Sequence, residues 1–119
     1  MKITQKQMDA FSQVEWEKFE IRIADFLQEQ FDNARGVPQE KLLPVIHEQV
    51  VKARDYGLVT EQQIATYVTT AWLLGRQFDQ TSPAAQQVLN SSTYSPENKS
   101  EWLANWTEQI FAILEEEEN

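Results

Sequence analysis

The sequence predicts an all-α fold: one compact domain, residues 1–119, built as a bundle of five or six helices around a central uncharged helix at about 60–78. Three observations predict it. The stretch TEQQIATYVTTAWLLGRQFD, Thr60 to Asp79, carries no charge from Gln62 to Gly75, although 24% of the chain is charged. Its apolar residues Ile64, Tyr67, Val68, Ala71, Trp72, Leu74 and Phe78 recur at three- and four-residue steps, the spacing of a broad buried helix face. Helix-start signals recur along the chain, and neither strand alternation nor a repeat of 20–50 residues interrupts them.

The elements follow in order. Thr4 and Gln7 have capping-box spacing, with Ile3 and Met8 as a staple, so a helix is expected at once. Ser12 and Glu15 repeat the signal between Phe11 and Trp16. A single helix from Gln5 to Phe31 competes with a break near Ser12, and two start signals eight residues apart favour the break. The helix after it is expected to bury Trp16, Phe19, Ile23, Phe26 and Leu27, with Phe31 at its end. Residues 33–38 read as a connection. A helix from Gln39 to Tyr56 then presents Leu42, Leu43, Ile46, Val50 and Ala53. Pro44 lies inside it and predicts a kink or a fresh start, because its ring conflicts with the Glu40 carbonyl. Gly57 is placed to end this helix, with Lys52 and Arg54 in a last turn that suits cations.

The central helix opens with Thr60 as cap, Gln63 reaching back, and Val59 and Ile64 as staple. Gly75 either ends it or lets another helix approach closely; as an interior residue it would cost about 1 kcal/mol against Ala. Ser82-Pro83 and Ser95-Pro96 each pair a cap with a first-turn proline, and so open a short helix to about Leu89 and a last one to about Glu115. The last helix carries Trp102, Leu103, Trp106, Ile110, Ile113 and Leu114 as its stripe.

Bulk properties narrow the function. A chain of 119 residues and 13.9 kDa can bury a core without staples, and it has no cysteine for disulfides or thiolate metal sites. The opening MKITQKQMDAF holds no apolar run of signal-peptide length, so the cytoplasm is the expected location. The uncharged stretch, 14 residues with three Thr and two Gln, is too short and too polar to span a bilayer. The net charge of −9 opposes phosphate backbones and anionic membranes, so neither nucleic acid nor membrane is an expected partner. A basic protein partner is compatible with it, and so is solubility alone.

Catalytic groups are scarce. The single histidine, His47, has Leu43, Pro44, Val50 and Val51 at helical spacing, none of them a ligand. Glu40 and Asp55 are ~10 Å or more away along the axis. His47 therefore reads as a boundary or core residue, and no metal or cofactor is expected. The three glycines stand apart, so no phosphate cradle is present. Candidate partner-binding residues are Arg76, Asp79, Trp102, Trp106 and the acidic tail Glu115, Glu116, Glu117 and Glu118. Each has a plainer reading beside it. Arg76 and Asp79 form an i, i+3 pair that can simply bridge to each other. Trp72 reads as core. Trp102 and Trp106, one turn apart, read as core or as interface anchors. The four glutamates, at a helix C-terminus where the dipole disfavours anions, are expected to fray the tail at 115–119. They serve either as a solvating end or as an electrostatic latch that speeds association.

The run Tyr56-Gly57-Leu58-Val59-Thr60-Glu61, then Tyr67, then Leu74-Gly75-Arg76-Gln77-Phe78-Asp79, resembles a family of small helical proteins encoded beside bacterial type VI secretion spike and toxin genes. The aromatic and acidic pattern of Phe19 to Phe31 is similar too, and the likeness covers residues 10–80. It implies an accessory role near a secreted effector and carries over no catalytic residues. The expected function is a non-enzymatic protein-binding module, an effector adaptor or chaperone whose partner is a secreted effector or spike-associated protein. An immunity protein that neutralises a basic toxin is the second reading. A helical enzyme with carboxylates gathered from several helices is the third.

Overall fold

In a computed structural model, residues 12–118 are described as backbone and residues 12–113 also as side chains. The expected first helix around Thr4–Gln7 and the Phe11 staple lie outside the described residues. These form seven helices and no strand: α1 Gln13–Gln30, α2 Asp32–Arg35, α3 Gln39–Asp55, α4 Glu61–Leu74, α5 Phe78–Thr81, α6 Pro83–Leu89 and α7 Pro96–Glu118. The all-α bundle is as expected. The higher helix count comes from the single turns α2 and α5, which occupy segments the sequence marks as connections.

The uncharged helix α4 is the interior element, packed against α1, α3 and α7. Ile64 and Tyr67 are fully buried, Val68 and Ala71 nearly so. Its start is a complete capping box: Thr60 Oγ1 accepts from the Gln63 N–H at 3.1 Å, and Gln63 Oε1 accepts from the Thr60 N–H at 3.2 Å. It ends earlier than the expected 78. Gly75 caps it at φ 117°, in a region open to glycine, and a Cβ there would meet nothing within 4 Å. Ending the helix, rather than a close approach, is therefore what Gly75 does. Trp72 is half-buried instead of core, and its indole N–H donates to Asn33 Oδ1 at 3.0 Å.

Helix α3 runs unbroken through Pro44, so the expected fresh start is absent. Pro44 removes only the donor that the Glu40 carbonyl would have used, and both residues lie on the exposed side of the helix. Gly57, at φ 90°, closes α3 as expected. The N–H of Leu58 donates to the Ala53 carbonyl at 3.1 Å and that of Gly57 to the Arg54 carbonyl at 2.9 Å. This is the Schellman arrangement, and Leu58 is buried at 2% exposure as its hydrophobic partner.

Helix α1 begins where the break was expected, with Ser12 Oγ accepting from the Glu15 N–H at 3.2 Å. Phe19, Ile23 and Leu27 are buried, whereas Phe26 is 44% exposed, against expectation. The apolar face of α1 is wider than α3 and α4 together can cover. Glu20, on the opposite flank, is buried and its Oε2 lies 2.9 Å from Nδ1 of His47. His47 is thus an exposed boundary residue that joins α1 to α3. Helix α7 starts at the Ser95 cap, and its backbone stays helical through the acidic run to Glu118, past the expected end near Glu115. Two polar contacts hold it in place. Thr107 meets Thr70 of α4 at 3.1 Å. The buried Lys99 donates from Nζ to the carbonyls of Tyr56 and Leu89, each at 2.9 Å. Those carbonyls end α3 and α6, where the helix dipoles favour a cation.

Candidate functional site

The predicted site residues fall into three separate places. Asp79 is the second residue of α5 and is 1% exposed. Lys52 Nζ donates to its Oδ1 at 2.8 Å and the Tyr56 hydroxyl to its Oδ2 at 2.7 Å. Burial, with the Asp79 carboxylate beside it, pushes the Tyr56 hydroxyl up to about 12. The neighbouring Tyr67 is raised as well, first by burial and then by the Asp79 charge. Asp79 therefore stabilises the core instead of offering a carboxylate to a partner. Arg76 does not bridge to Asp79 as its spacing suggested. The chain leaves α4 at Gly75 and turns at Arg76 and Gln77 before α5, and the exposed Arg76 guanidinium pairs with Glu48 of α3, its Nε donating at 3.1 Å. Its own carbonyl accepts from Lys52 and Gln49. Beside it lies a small apolar cavity of about 230 Å³ walled by Leu27, Ile46, Val68, Ala71 and Trp72.

Trp102 and Trp106 are half-buried and stacked on each other, with ring centres 5.1 Å apart and planes 21° from parallel. Trp106 packs in turn on Phe78, and Phe78 on Tyr67, so the pair extends the aromatic core to the surface. Glu115 to Glu118 form the end of the α7 backbone. Their side chains lie outside the described residues.

A further concavity is lined by residues that the sequence did not single out as a site. An open groove of about 780 Å³ runs between α1 and α7, with the first turns of α4 as its floor. Both α1 and α7 pack on α4, but they splay apart above it. The α1 wall is Phe19, Arg22, Ile23 and Phe26; the α7 wall is Glu97, Ser100, Glu101 and Ala104. Each wall shows the i, i+3, i+4, i+7 pattern of one helix face. Phe26 supplies its most exposed large apolar side chain, steadied edge-on by Phe31 at 6.5 Å. Arg22 lies 5.6 Å over the Phe19 ring and donates to Glu61 across the groove floor at 3.0 Å. That pairing neutralises both, which leaves Glu97, in the first turn of α7, and Glu101, both exposed, without a cationic side-chain partner among the described residues. The sequence carried only part of the signal: Phe19, Ile23 and Phe26 share one α1 face, and Glu97 and Glu101 sit at helical spacing at the start of α7, but nothing in it places the two helices side by side.

Glu61, Glu97 and Glu101 share this groove, yet among the described residues no three His, Asp or Glu side chains gather closely enough to hold a metal ion. No helix among the described residues is long and apolar enough to cross a membrane. No protein-family model, curated protein or solved structure matches the chain.

Proposed function

We propose that this chain is a non-enzymatic, protein-binding accessory module that docks a segment of its partner in the groove between α1 and α7. The observation that carries the reading is Phe26: a phenylalanine 44% exposed in a groove of about 780 Å³. A concavity with an apolar anchor and a polar rim is the usual form of a recognition site. The resemblance of residues 10–80 to proteins encoded beside type VI secretion genes suggests the setting, an adaptor or chaperone for a secreted effector or spike-associated protein. Co-purification tests it. The full chain is co-expressed with the neighbouring effector or spike protein, and wild type is compared with Phe26→Ser. Retention by wild type and loss by a folded F26S protein supports the reading. Equal retention by both, or by neither, defeats it.

The acidic balance favours one second reading, an immunity protein that covers a basic toxin. Rescue of toxin-expressing cells by this chain alone separates the two, because a loading adaptor does not neutralise its cargo.

A further inference from the structure

We infer that the segment docked in this groove is a basic amphipathic helix of a protein partner, held by Phe26 on its apolar face and by Glu97 and Glu101 along one edge. The inference rests on the docking role proposed above and adds the chemistry of the occupant. Shape comes first. The two walls each run over eight residues, ~10 Å along a helix axis, and both present helical spacing. A third helix laid between them could seat its side-chain ridges against both walls, the mode by which helices pack at interaxial distances of about 8–10 Å. It would complete a layer over α4 that α1 and α7 leave open. An extended segment has no such match, because no unpaired strand edge exists among the described residues to receive its backbone.

Charge then sets the sign. Arg22 and Glu61 satisfy each other. The positive end of α4 in the groove floor is already met by Glu61 in its first turn and by the Thr60–Gln63 capping box. Glu97 and Glu101 have no described partner and lie one turn apart, about 6 Å along the helix axis. Two arginines or lysines four residues apart on an incoming helix would face them. The rest of the chain adds to the attraction, since the net charge is −9. Charges at such a rim act mainly on the association rate and on the choice of partner; the apolar contact with Phe26 and the burial of the groove floor supply most of the affinity.

Two synthetic amphipathic helices serve as probes: one with a leucine face flanked by arginines four residues apart, and the same peptide with glutamates in place of the arginines. Binding of each to the full-length wild type, to the double variant Glu97→Lys/Glu101→Lys and to Phe26→Ser is followed by fluorescence anisotropy at low and high salt. Both altered sites are exposed, so the variants keep the fold, and far-UV circular dichroism verifies this. The expected result is that wild type prefers the arginine peptide by about tenfold or more at low salt. Salt should reduce that preference, the lysine double variant should invert it, and F26S should weaken both peptides. A preference that survives charge reversal overturns the inference, because the arginines would then be read elsewhere. Equal binding of both peptides, lost only in F26S, overturns the basic partner while the docking role stands. Self-association that F26S abolishes and that excludes both peptides assigns the groove to a second copy of the chain and overturns the inference.

Discussion

Replacing Asp79 with alanine removes one acceptor from a buried cluster, and the size of the loss can be worked from its contacts. Asp79 is 1% exposed and accepts from Lys52 and Tyr56 at 2.8 and 2.7 Å. Hydrogen bonds to a charged group contribute about 1.5–3 kcal/mol each. Taking one partner from a buried ion pair costs about 3–5 kcal/mol, because the other charge is left without compensation. Here the lower end applies. The Lys52 side chain is 21% exposed and keeps the Arg76 carbonyl at 2.9 Å, so its ammonium is not stranded. The expected destabilisation is about 3 kcal/mol, a large share of the roughly 5–15 kcal/mol that holds such a domain together. It corresponds to a fall in Tm on the order of 10 °C. Asp79→Asn, which retains an acceptor of the same shape, should lose about half as much. Urea unfolding followed by circular dichroism measures both, with an unchanged m-value expected. In the alanine background, Tyr56→Phe should add little, since the hydroxyl has already lost its acceptor. A loss below about 1 kcal/mol for Asp79→Ala, or an asparagine variant worse than alanine, would refute the pairing as the source of stability.

Three further outcomes follow from other contacts. The Tyr56 hydroxyl titrates near 12 in the folded chain against 10.0 when unperturbed. The unfolded state therefore releases its proton first: the stabilisation is fully present below pH 10 and is lost as pH rises towards 12, a slope visible in urea midpoints and made shallower in Tyr56→Phe, with the remainder coming from the raised Tyr67. Thr60→Val removes the cap that accepts from Gln63 and should cost about 1 kcal/mol by the same assay, with Thr60→Ser close to neutral. Gly57→Ala forces a side chain into φ 90° and should destabilise by on the order of 1–2 kcal/mol; a Cβ there would meet nothing, so backbone strain and not crowding is the cause of the loss.

Local rules made most of the helices legible. Thr60 with Gln63, Ser12, Ser82-Pro83, Ser95-Pro96 and Gly57 each mark a boundary that the structure places within a residue or two, because caps depend on neighbours in sequence alone. The central helix was legible for a similar reason, since an uncharged amphipathic stretch has few places to go but inside. What could not be read was which helix would cover which face. Phe26 and Leu27 are adjacent in sequence, yet one is 44% exposed and the other fully buried, a difference set by where α7 stops short of α1. Asp79 and Lys99 look like surface charges by residue type. Their burial depends on partners 27 and 10 residues distant in sequence, Lys52 and Leu89. The groove, made by two helices far apart in the chain, was the least accessible feature of all.

The seat of Lys99 makes the protein carry its own gauge of unfolding. Its amine holds two helix-ending carbonyls from within the fold, whereas Lys18 and Lys41 stand in water. An acylating reagent should therefore label those two at once and reach Lys99 only when the start of α7 lifts away. The rate at which mass spectrometry finds Lys99 labelled then reports that opening directly, and a partner seated between α1 and α7 should slow it.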